Sequence, residues 1–516
     1  MKKKQLLASL FLASLAAPGA VMAQDVVKFT TAKTQGETVS VTLNQLKHGA
    51  VVDWGDGNTQ TFEPTADDYL VIEGQVKGGT ITITSQSPIK TIICADNALT
   101  DIDLSGLTSL YSLYCQNNQL TQLDLSSCQK LTDLNCAGNE LTKISVTESG
   151  NPDLETLNVA GNQLKSNSLT GTSFALPCQQ LQYLNIADNA VTTVSLTAAN
   201  DQLDVLKCSG NKIKILNLTN ISSLSTLMCA DNAITGLTIN AANGLPELRQ
   251  LIASGNKIAK MDLSLSSDLN YLAVENNALT QLAIPAKTKL YAYSCGGNSL
   301  TFSSLPTADY MPEFFSYLPQ TEEIDISSKF KKAADGMYYA PLCPSYNDRN
   351  DEAYFVDLTD WSFDADNQRN TITFSFFGKN NGETEYAQLS KASSSNKNGD
   401  YYTPTAVSLY GNYSFLKPHD EVYIEITSSN YPDLKYTTTH FRVGEKATAI
   451  ETATTAGDAL NVTVQNRQLV IAGKGQPVRV YRADGSLQWQ GQACEGGTQL
   501  NLPAGVYVVN GKKVAL

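Results

Sequence analysis

From about residue 89 to residue 302 the apolar positions fall in one fixed frame. The clearest copy reads Leu110-Tyr-Ser-Leu113-Tyr-Cys115-Gln-Asn-Asn118-Gln-Leu120-Thr-Gln-Leu123-Asp-Leu125. Leu113 and Cys115 alternate with Ser112, Tyr114 and Gln116, the period of a strand with one buried face. The frame repeats on Asn97, Asn118, Asn139, Asn162, Asn189, Asn211, Asn232, Asn256, Asn277 and Asn298, in steps of 21, 21, 23, 27, 22, 21, 24, 21 and 21. A repeat of this length predicts a solenoid, in which each turn buries a core only against its neighbours. Its short strands stack into one parallel sheet. Leu120, Leu123 and Leu125 return to the core from the opposite side. The Asn is placed to satisfy backbone groups of the turn after each strand, and stacked copies form a ladder. Such an array needs caps, because its end edges and open core are otherwise exposed.

The cysteines follow the same frame. Cys94, Cys115, Cys136, Cys208, Cys229 and Cys295 each sit three residues before a ladder Asn, where other copies hold Val159, Ile186, Ala253 and Val274. A position that accepts Cys, Val, Ile and Ala is a small apolar core site, so these thiols are expected to be hydrophobes rather than a disulfide framework or a metal site. Cys128, Cys178, Cys343 and Cys494 show no shared spacing in this reading, and a bridge among them is left open.

Flanking segments lose the repeat. In residues 24–88, Thr38-Val-Ser-Val-Thr42, Val51-Val-Asp-Trp54 and Thr80-Ile-Thr-Ile-Thr84 read as strands and Gly55-Asp-Gly-Asn58 as a tight turn, an N-terminal β cap. Asp53 and Asp56 there read either as calcium ligands or, more simply, as acids of the turn. Residues 303–444 alternate aromatic and polar positions in several short strands, which suggests an Ig-like or fibronectin-like β-sandwich. Residues 445–458 are small and polar and read as a linker. Residues 459–516 hold further strands, with turns at Asp484-Gly485 and Pro503-Ala-Gly505. The predicted fold class is therefore mainly β: a repeat solenoid between an N-terminal β cap, a β-sandwich and a small C-terminal β-sandwich.

Met1–Ala23 has three Lys, a short apolar run and a Val21-Met-Ala23 end, the build of a secretory signal peptide. No other run is long enough for a transmembrane helix. The 516 residues carry 37 Lys+Arg against 50 Asp+Glu, and the formal net charge of −13 argues against nucleic acid as a partner. Only three His occur, His48, His419 and His440. Neither a phosphate loop, a G-x-S-x-G, an H-E-x-x-H nor a convincing Cys/His pair is present, so no catalytic residue, metal or cofactor is predicted and the chain does not read as an enzyme.

The L-x-x-L-x-L/C-x-x-N-x-L frame resembles the leucine-rich repeat family. Its 21-residue unit, with L-T-x-L-D-L after the Asn, is most similar to internalin-like bacterial surface proteins. The last segment, with Val480-Tyr481-x-x-Asp484-Gly485, Leu502-Pro-Ala-Gly-Val-Tyr-Val-Val509 and a Lys-containing final strand, resembles the C-terminal sorting domain of the type IX secretion system of Gram-negative Bacteroidetes. Together the resemblances imply a secreted or outer-surface protein that meets the type IX machinery and binds a protein ligand in adhesion, biofilm formation or virulence. Capture of glycans or nutrients, or a spacer without one ligand, are the other readings. Candidate ligand-binding residues on the concave sheet face are Tyr111, Tyr114, Asn135, Asn158, Tyr183, Asn185, Met228, Ile252 and Tyr271. The insertion at 165–179 is a second candidate surface.

Overall fold

A computed structural model describes residues 24–44, 46–65, 69–144, 146, 149–166, 174–175, 178–239, 242, 244–285, 290–306, 308–321, 323–332, 338–340, 354–358, 371–380, 382–391, 401–402, 413–416, 418–443, 460–465, 468–473, 477–482, 487–492, 494, 497–503, 506–509 and 512–515. The expected signal peptide and linker, Cys343 and most of the 165–179 insertion lie outside these residues. Among the described residues the helical elements are short 3₁₀ turns and everything else regular is strand. The chain divides into two units, residues 1–295 with 312–316 and residues 296–311 with 317–516.

The first unit is a leucine-rich repeat solenoid with its N-terminal cap. The strands of the cap and first repeat are β1 (Asp25–Thr31), β2 (Thr38–Asn44), β3 (Ala50–Asp53), β4 (Thr59–Phe62), β5 (Tyr69–Gln75), β6 (Thr80–Ser85), β7 (Thr91–Ile93) and β8 (Leu99–Asp103). From β7 onward, three-residue strands recur once per repeat and pair in parallel, in the order Ser112–Tyr114, Asp133–Asn135, Thr156–Asn158, Tyr183–Asn185, Val205–Lys207, Thr226–Met228, Gln250–Ile252, Tyr271–Ala273, Ala292–Ser294 and Phe314–Ser316. The register is in frame: Leu113 lies beside Leu134, Leu157 and Leu184 in successive strands. Those central Leu side chains are buried and their two neighbours are not, as the period of two requires.

The cap continues both walls of the solenoid. Strand β2 pairs antiparallel with β7 on one side and with β5 on the other, so the long sheet has thirteen strands. A second sheet, β4-β3-β6-β1-β8, pairs β1 with the back of the first repeat. Val27, Phe29, Val39, Val41, Ile72 and Ile83 fill the space between the sheets and close the core that the first repeat leaves open. Strands β2, β3 and β6 fall where the pattern predicts them; β1, β4 and β5 are strands the sequence reading missed.

The Asn ladder joins the turns. Asn118 Nδ2 donates to the Cys94, Cys115 and Gln116 carbonyls at 3.0, 3.0 and 3.3 Å, and its Oδ1 accepts from the Asn97 and Leu99 N–H groups at 3.0 and 2.9 Å. Asn139, Asn162 and Asn211 repeat this bonding to their own and the preceding turn. At the cap, Asn97 exchanges both bonds with the Ser40 backbone of β2, at 2.7 and 2.9 Å. One amide, a donor and an acceptor on one planar group, thus satisfies backbone that two stacked turns bury.

The residue before each ladder Asn has a second constraint. Asp96, Asn117, Gly138, Gly161, Asp188, Gly210, Asp231, Gly255, Asn276 and Gly297 all adopt positive φ, between 51° and 70°. Only Gly, Asn and Asp enter that left-handed region readily, and only they occupy the column. It is a sequence signal the reading above did not use.

The cysteine column is core. Cys94, Cys115, Cys136, Cys208, Cys229 and Cys295 are fully buried, and burial pushes the Cys115, Cys229 and Cys295 thiols up to about 12. The reading that Cys128 and Cys178 lack shared spacing is corrected by the structure. Each lies three residues before the Leu that precedes a strand, Leu131 and Leu181, in a column with Leu107, Asn151, Asn200, Ile221, Leu245 and Ser266. All eight are buried, and in six of them, Leu107, Cys128, Asn151, Asn200, Leu245 and Ser266, a tight turn brings the N–H of the Leu three residues on to the carbonyl of the column residue.

The second unit begins with a turn in which Phe302 packs under Tyr431 and Tyr436, ring centroids 6.0 and 5.0 Å away. The Tyr431 and Tyr436 hydroxyls donate to the Pro306 and Leu300 carbonyls. Here Gln320 takes the ladder role, its Oε1 accepting from the Leu300 N–H at 2.9 Å. An antiparallel meander follows, Ile372–Lys379, His419–Ser428 and Tyr431–Thr438, over a core of Phe376, Val422, Ile424, Ile426 and Phe441. Near the C-terminus two small antiparallel sheets share a core of Leu469, Ile471, Val478, Val480, Tyr507 and Val509.

Two substitutions should move stability in opposite directions. Cys136→Ser buries a hydroxyl in an apolar site and should destabilise by about 1–3 kcal/mol. Ser266→Cys removes a buried hydroxyl that has no partner and should stabilise by about 1 kcal/mol. Urea unfolding of each variant checks the signs, and reductant should leave the wild-type curve in place.

Candidate functional site

In-register pairing turns the outer face of the long sheet into two rows. The first runs Tyr69, Asn44, Thr91, Ser112, Asp133, Thr156, Tyr183, Val205, Thr226, Gln250, Tyr271, Ala292, Phe314. The second runs Val71, Thr42, Ile93, Tyr114, Asn135, Asn158, Asn185, Lys207, Met228, Ile252, Ala273, Ser294, Ser316 through the same pairings. Eight of the nine candidates, Tyr114, Asn135, Asn158, Tyr183, Asn185, Met228, Ile252 and Tyr271, stand in these rows and share one face.

Tyr111 does not. It precedes the strand Ser112–Tyr114 by one residue, so alternation sets it out of phase with the outward pair. It lies at the sheet's rim, where Lys130 Nζ sits 6.0 Å from its ring centroid.

Only Asp133 and Lys207 carry charge in the two rows, although the chain as a whole is acidic. The Lys207 ammonium lies 5.2 Å from the Tyr183 ring centroid, a cation–π contact that shields part of that ring. Asn135, Asn158 and Asn185 each accept a bond from the N–H two residues on, from Ala137, Ala160 and Ala187 at 3.2, 3.3 and 3.1 Å. Those bonds fix the three side chains in place, so the amide row is preorganised rather than floppy.

Within the two rows the most open apolar side chains sit at the two ends. At one end Tyr271 and Phe314 are 36% and 56% exposed, and Tyr291, which precedes its strand as Tyr111 does, lies edge-on to Phe314 at 5.1 Å. At the other, Tyr69 and Val71 of β5 are 48% and 53% exposed. The sequence reading missed both additions. Phe314 lies beyond the last clear repeat and β5 lies before the first, so neither is in the repeat frame; only pairing brings them to the face.

Other candidate chemistry resolves into structure. Asp53 Oδ1 accepts from the Gly55 and Gly57 N–H groups, and Asp56 from Asn58 while pairing with Lys77 at 3.4 Å. Both acids are spent on the turn. In the second unit, Glu421 accepts from His440 and pairs with Lys379 at 2.8 and 3.1 Å, while Tyr386 meets His440 Nδ1 at 3.0 Å. These bonds outweigh the opposing effect of burial and hold the Glu421 carboxyl down at about 2. Among the described residues no group of three or more His, Cys, Asp or Glu is placed to hold a metal. No described helix is long and apolar enough to cross a membrane.

Comparisons with solved structures return repeat proteins. The functional domain of InlJ from Listeria monocytogenes, described as including a cysteine ladder, is 20% identical over 72% of this chain and 94% of that chain, with a TM-score of 0.33. The leucine-rich repeat domain of APL1B is 19% identical over 47% of this chain and 68% of that one, with a TM-score of 0.35. YopM from Yersinia enterocolitica is 23% identical over 42% and 57%, with a TM-score of 0.31. No family model matches the chain, and no curated protein matches it.

The depressed Glu421 carboxyl makes a prediction for acid. Its contribution to stability is present above its ordinary pKa of 4.5 and is lost as pH falls through about 2. Wild type should therefore lose more thermal stability between pH 5 and about 2 than Glu421→Gln does, as read by melting curves across that range.

Proposed function

We propose that this chain is an exported surface protein that binds other proteins through the outer face of its long sheet, in adhesion to host or bacterial surfaces and in biofilm formation. One observation carries the reading. A chain with a net charge of −13 keeps two full rows of a thirteen-strand sheet free of charge except at Asp133 and Lys207, and places Tyr, Met, Ile and Phe there. Charge depletion with aromatic and Met enrichment is the signature of an interface core, because apolar and neutral polar groups are cheaper to desolvate than ions. Short strands locked by the Asn ladder make the face rigid, so little ordering entropy opposes binding.

The export part of the proposal rests on Met1–Ala23 and on the sorting-domain resemblance of residues 459–516. A second reading, capture of neutral glycans at the cell surface, is favoured by the Asn135, Asn158 and Asn185 row beside Tyr114 and Tyr183, which offers amides for hydroxyls and rings for stacking.

An array of matrix proteins, salivary proteins and glycans, probed with the purified protein, tests both readings. Changing Tyr114, Tyr183 and Tyr271 together to Ser should weaken a true hit by about 100-fold or more, since aromatic anchors carry most of an interface's energy. A hit of unchanged strength in that variant moves the site off this face. Deleting residues 459–516 should abolish surface display in the native host; normal display of the truncation overturns the sorting assignment.

A further inference from the structure

Three amides on the sheet face are turned the same way. Asn135, Asn158 and Asn185 stand in line on three strands paired in register. Each Oδ1 accepts the N–H two residues on, at 3.2, 3.3 and 3.1 Å. Only the oxygen of an amide can accept, so each Nδ2 group is turned away from that N–H. Among the described residues these Nδ2 groups take no partner. They form a row of donors at the spacing of neighbouring strands, about 4.8 Å. Donors extend the row at both ends: in register, Tyr114 precedes Asn135 and Lys207 follows Asn185. Apolar Ile93 and Met228 then bound the stripe. The acid beside it, Asp133, has its Oδ2 on the Thr132 and Ser112 hydroxyls, at 2.7 and 3.4 Å.

A ligand for this stripe has to bring acceptors and few donors. A donor set against an amide N–H is left without a partner, at a cost of about 1–3 kcal/mol. An ordinary peptide segment carries one N–H for each C=O, and in helices and sheets those carbonyls are already used. A sugar brings a hydrogen with every hydroxyl. Carboxylates are acceptors only, but this chain of net charge −13 offers them one cation in the two rows, Lys207. Proline is the neutral case, because it keeps its C=O and has no N–H. A run of prolines forms the polyproline II helix, which has no internal hydrogen bonds and leaves its carbonyls open. One turn of that helix advances about 9.3 Å. Asn135 and Asn185, two strand spacings apart, are separated by about 9.6 Å along the sheet. Proline-rich helices dock on aromatic side chains, and Tyr114 and Tyr183 stand beside the amides.

We propose that the outer face of the long sheet takes a proline-rich segment of a protein partner, held as a polyproline II helix that runs across the strands between Tyr114 and Lys207. The inference rests on the reading of this face as a protein-binding surface and names the chemistry of what it binds. Carbonyls one helical turn apart accept from the Asn135 and Asn185 amides, and Asn158 serves the turn between them. Pyrrolidine rings pack against Tyr114 and Tyr183. Both sides are set before they meet. Polyproline II is preformed, and backbone bonds hold the amides, so little ordering entropy opposes the contact.

Isothermal titration calorimetry of the purified full chain with end-blocked decaproline tests this, beside end-blocked Gly-Ser and oligoglutamate peptides of the same length. Decaproline should bind with a Kd below about 1 mM, and the two controls at least about 10-fold more weakly. Asn158→Asp combined with Asn185→Asp keeps an oxygen for the Ala160 and Ala187 N–H groups and turns two donors into acceptors. That variant should lose about 10-fold or more in decaproline affinity with its melting curve unchanged. Tyr114→Ser, which leaves the amides in place, should also lose about 10-fold. Absence of decaproline binding up to about 1 mM overturns the proposal. So does a control peptide that binds as tightly, or an affinity that either change leaves intact. The array result stands apart from this one. An array hit that the Tyr114, Tyr183 and Tyr271 variant loses, without any decaproline binding, overturns the proline-rich partner and leaves the face as the binding surface.

Discussion

Each turn of this molecule leaves its own backbone half satisfied, and one Asn side chain per turn closes the account. The ladder amide donates to carbonyls of its own turn and of the preceding one, and it accepts an N–H from the preceding turn. Buried backbone groups without such partners would cost about 1–3 kcal/mol each. The rest of the first unit depends on this exchange. It holds the turns at one spacing, keeps the three-residue strands in register and so creates the two-row face. The left-handed residue before each Asn serves the same end, because the chain has to reverse tightly to bring the amide over the carbonyls.

The constraint also explains the cap. A solenoid that stacks by backbone exchange has an end where the exchange stops. Strand β2 supplies the missing partner, presenting Ser40 to Asn97 as a neighbouring turn would. Because β2 runs antiparallel, the sheet direction reverses there and the parallel array ends. The core is closed by the second sheet, whose β1 pairs with β8 of the first repeat. Beyond β2 the long sheet carries one more antiparallel strand, β5, its last among the described residues.

The same packing separates the buried cysteines from any chemistry. A thiol reacts as the thiolate, and burial holds Cys115 and Cys229 near 12. The six-fold recurrence of Cys reflects the volume of a site shared with Val, Ile and Ala. The proposed binding face lies on the opposite side of the same strands, where side chains stand clear of the repeat's core.

Much of this was legible in the residue order. A period of about 21 residues, alternation across each strand and an invariant Asn define a solenoid without any tertiary information, because the repeat states its own neighbour contacts. The outward rows followed from alternation, which is why eight candidates share a face. Tyr111 was misplaced because one residue of phase separates a strand position from the rim. Cys128 and Cys178 looked unrelated because the steps between repeats vary, whereas their distance to the next Leu does not. Only the tertiary structure decided that Phe314, Tyr69 and Val71 join the face and that β5 ends the sheet. Those residues lie outside the periodic frame, and their place is set by long-range strand pairing, which leaves no periodic trace in the sequence.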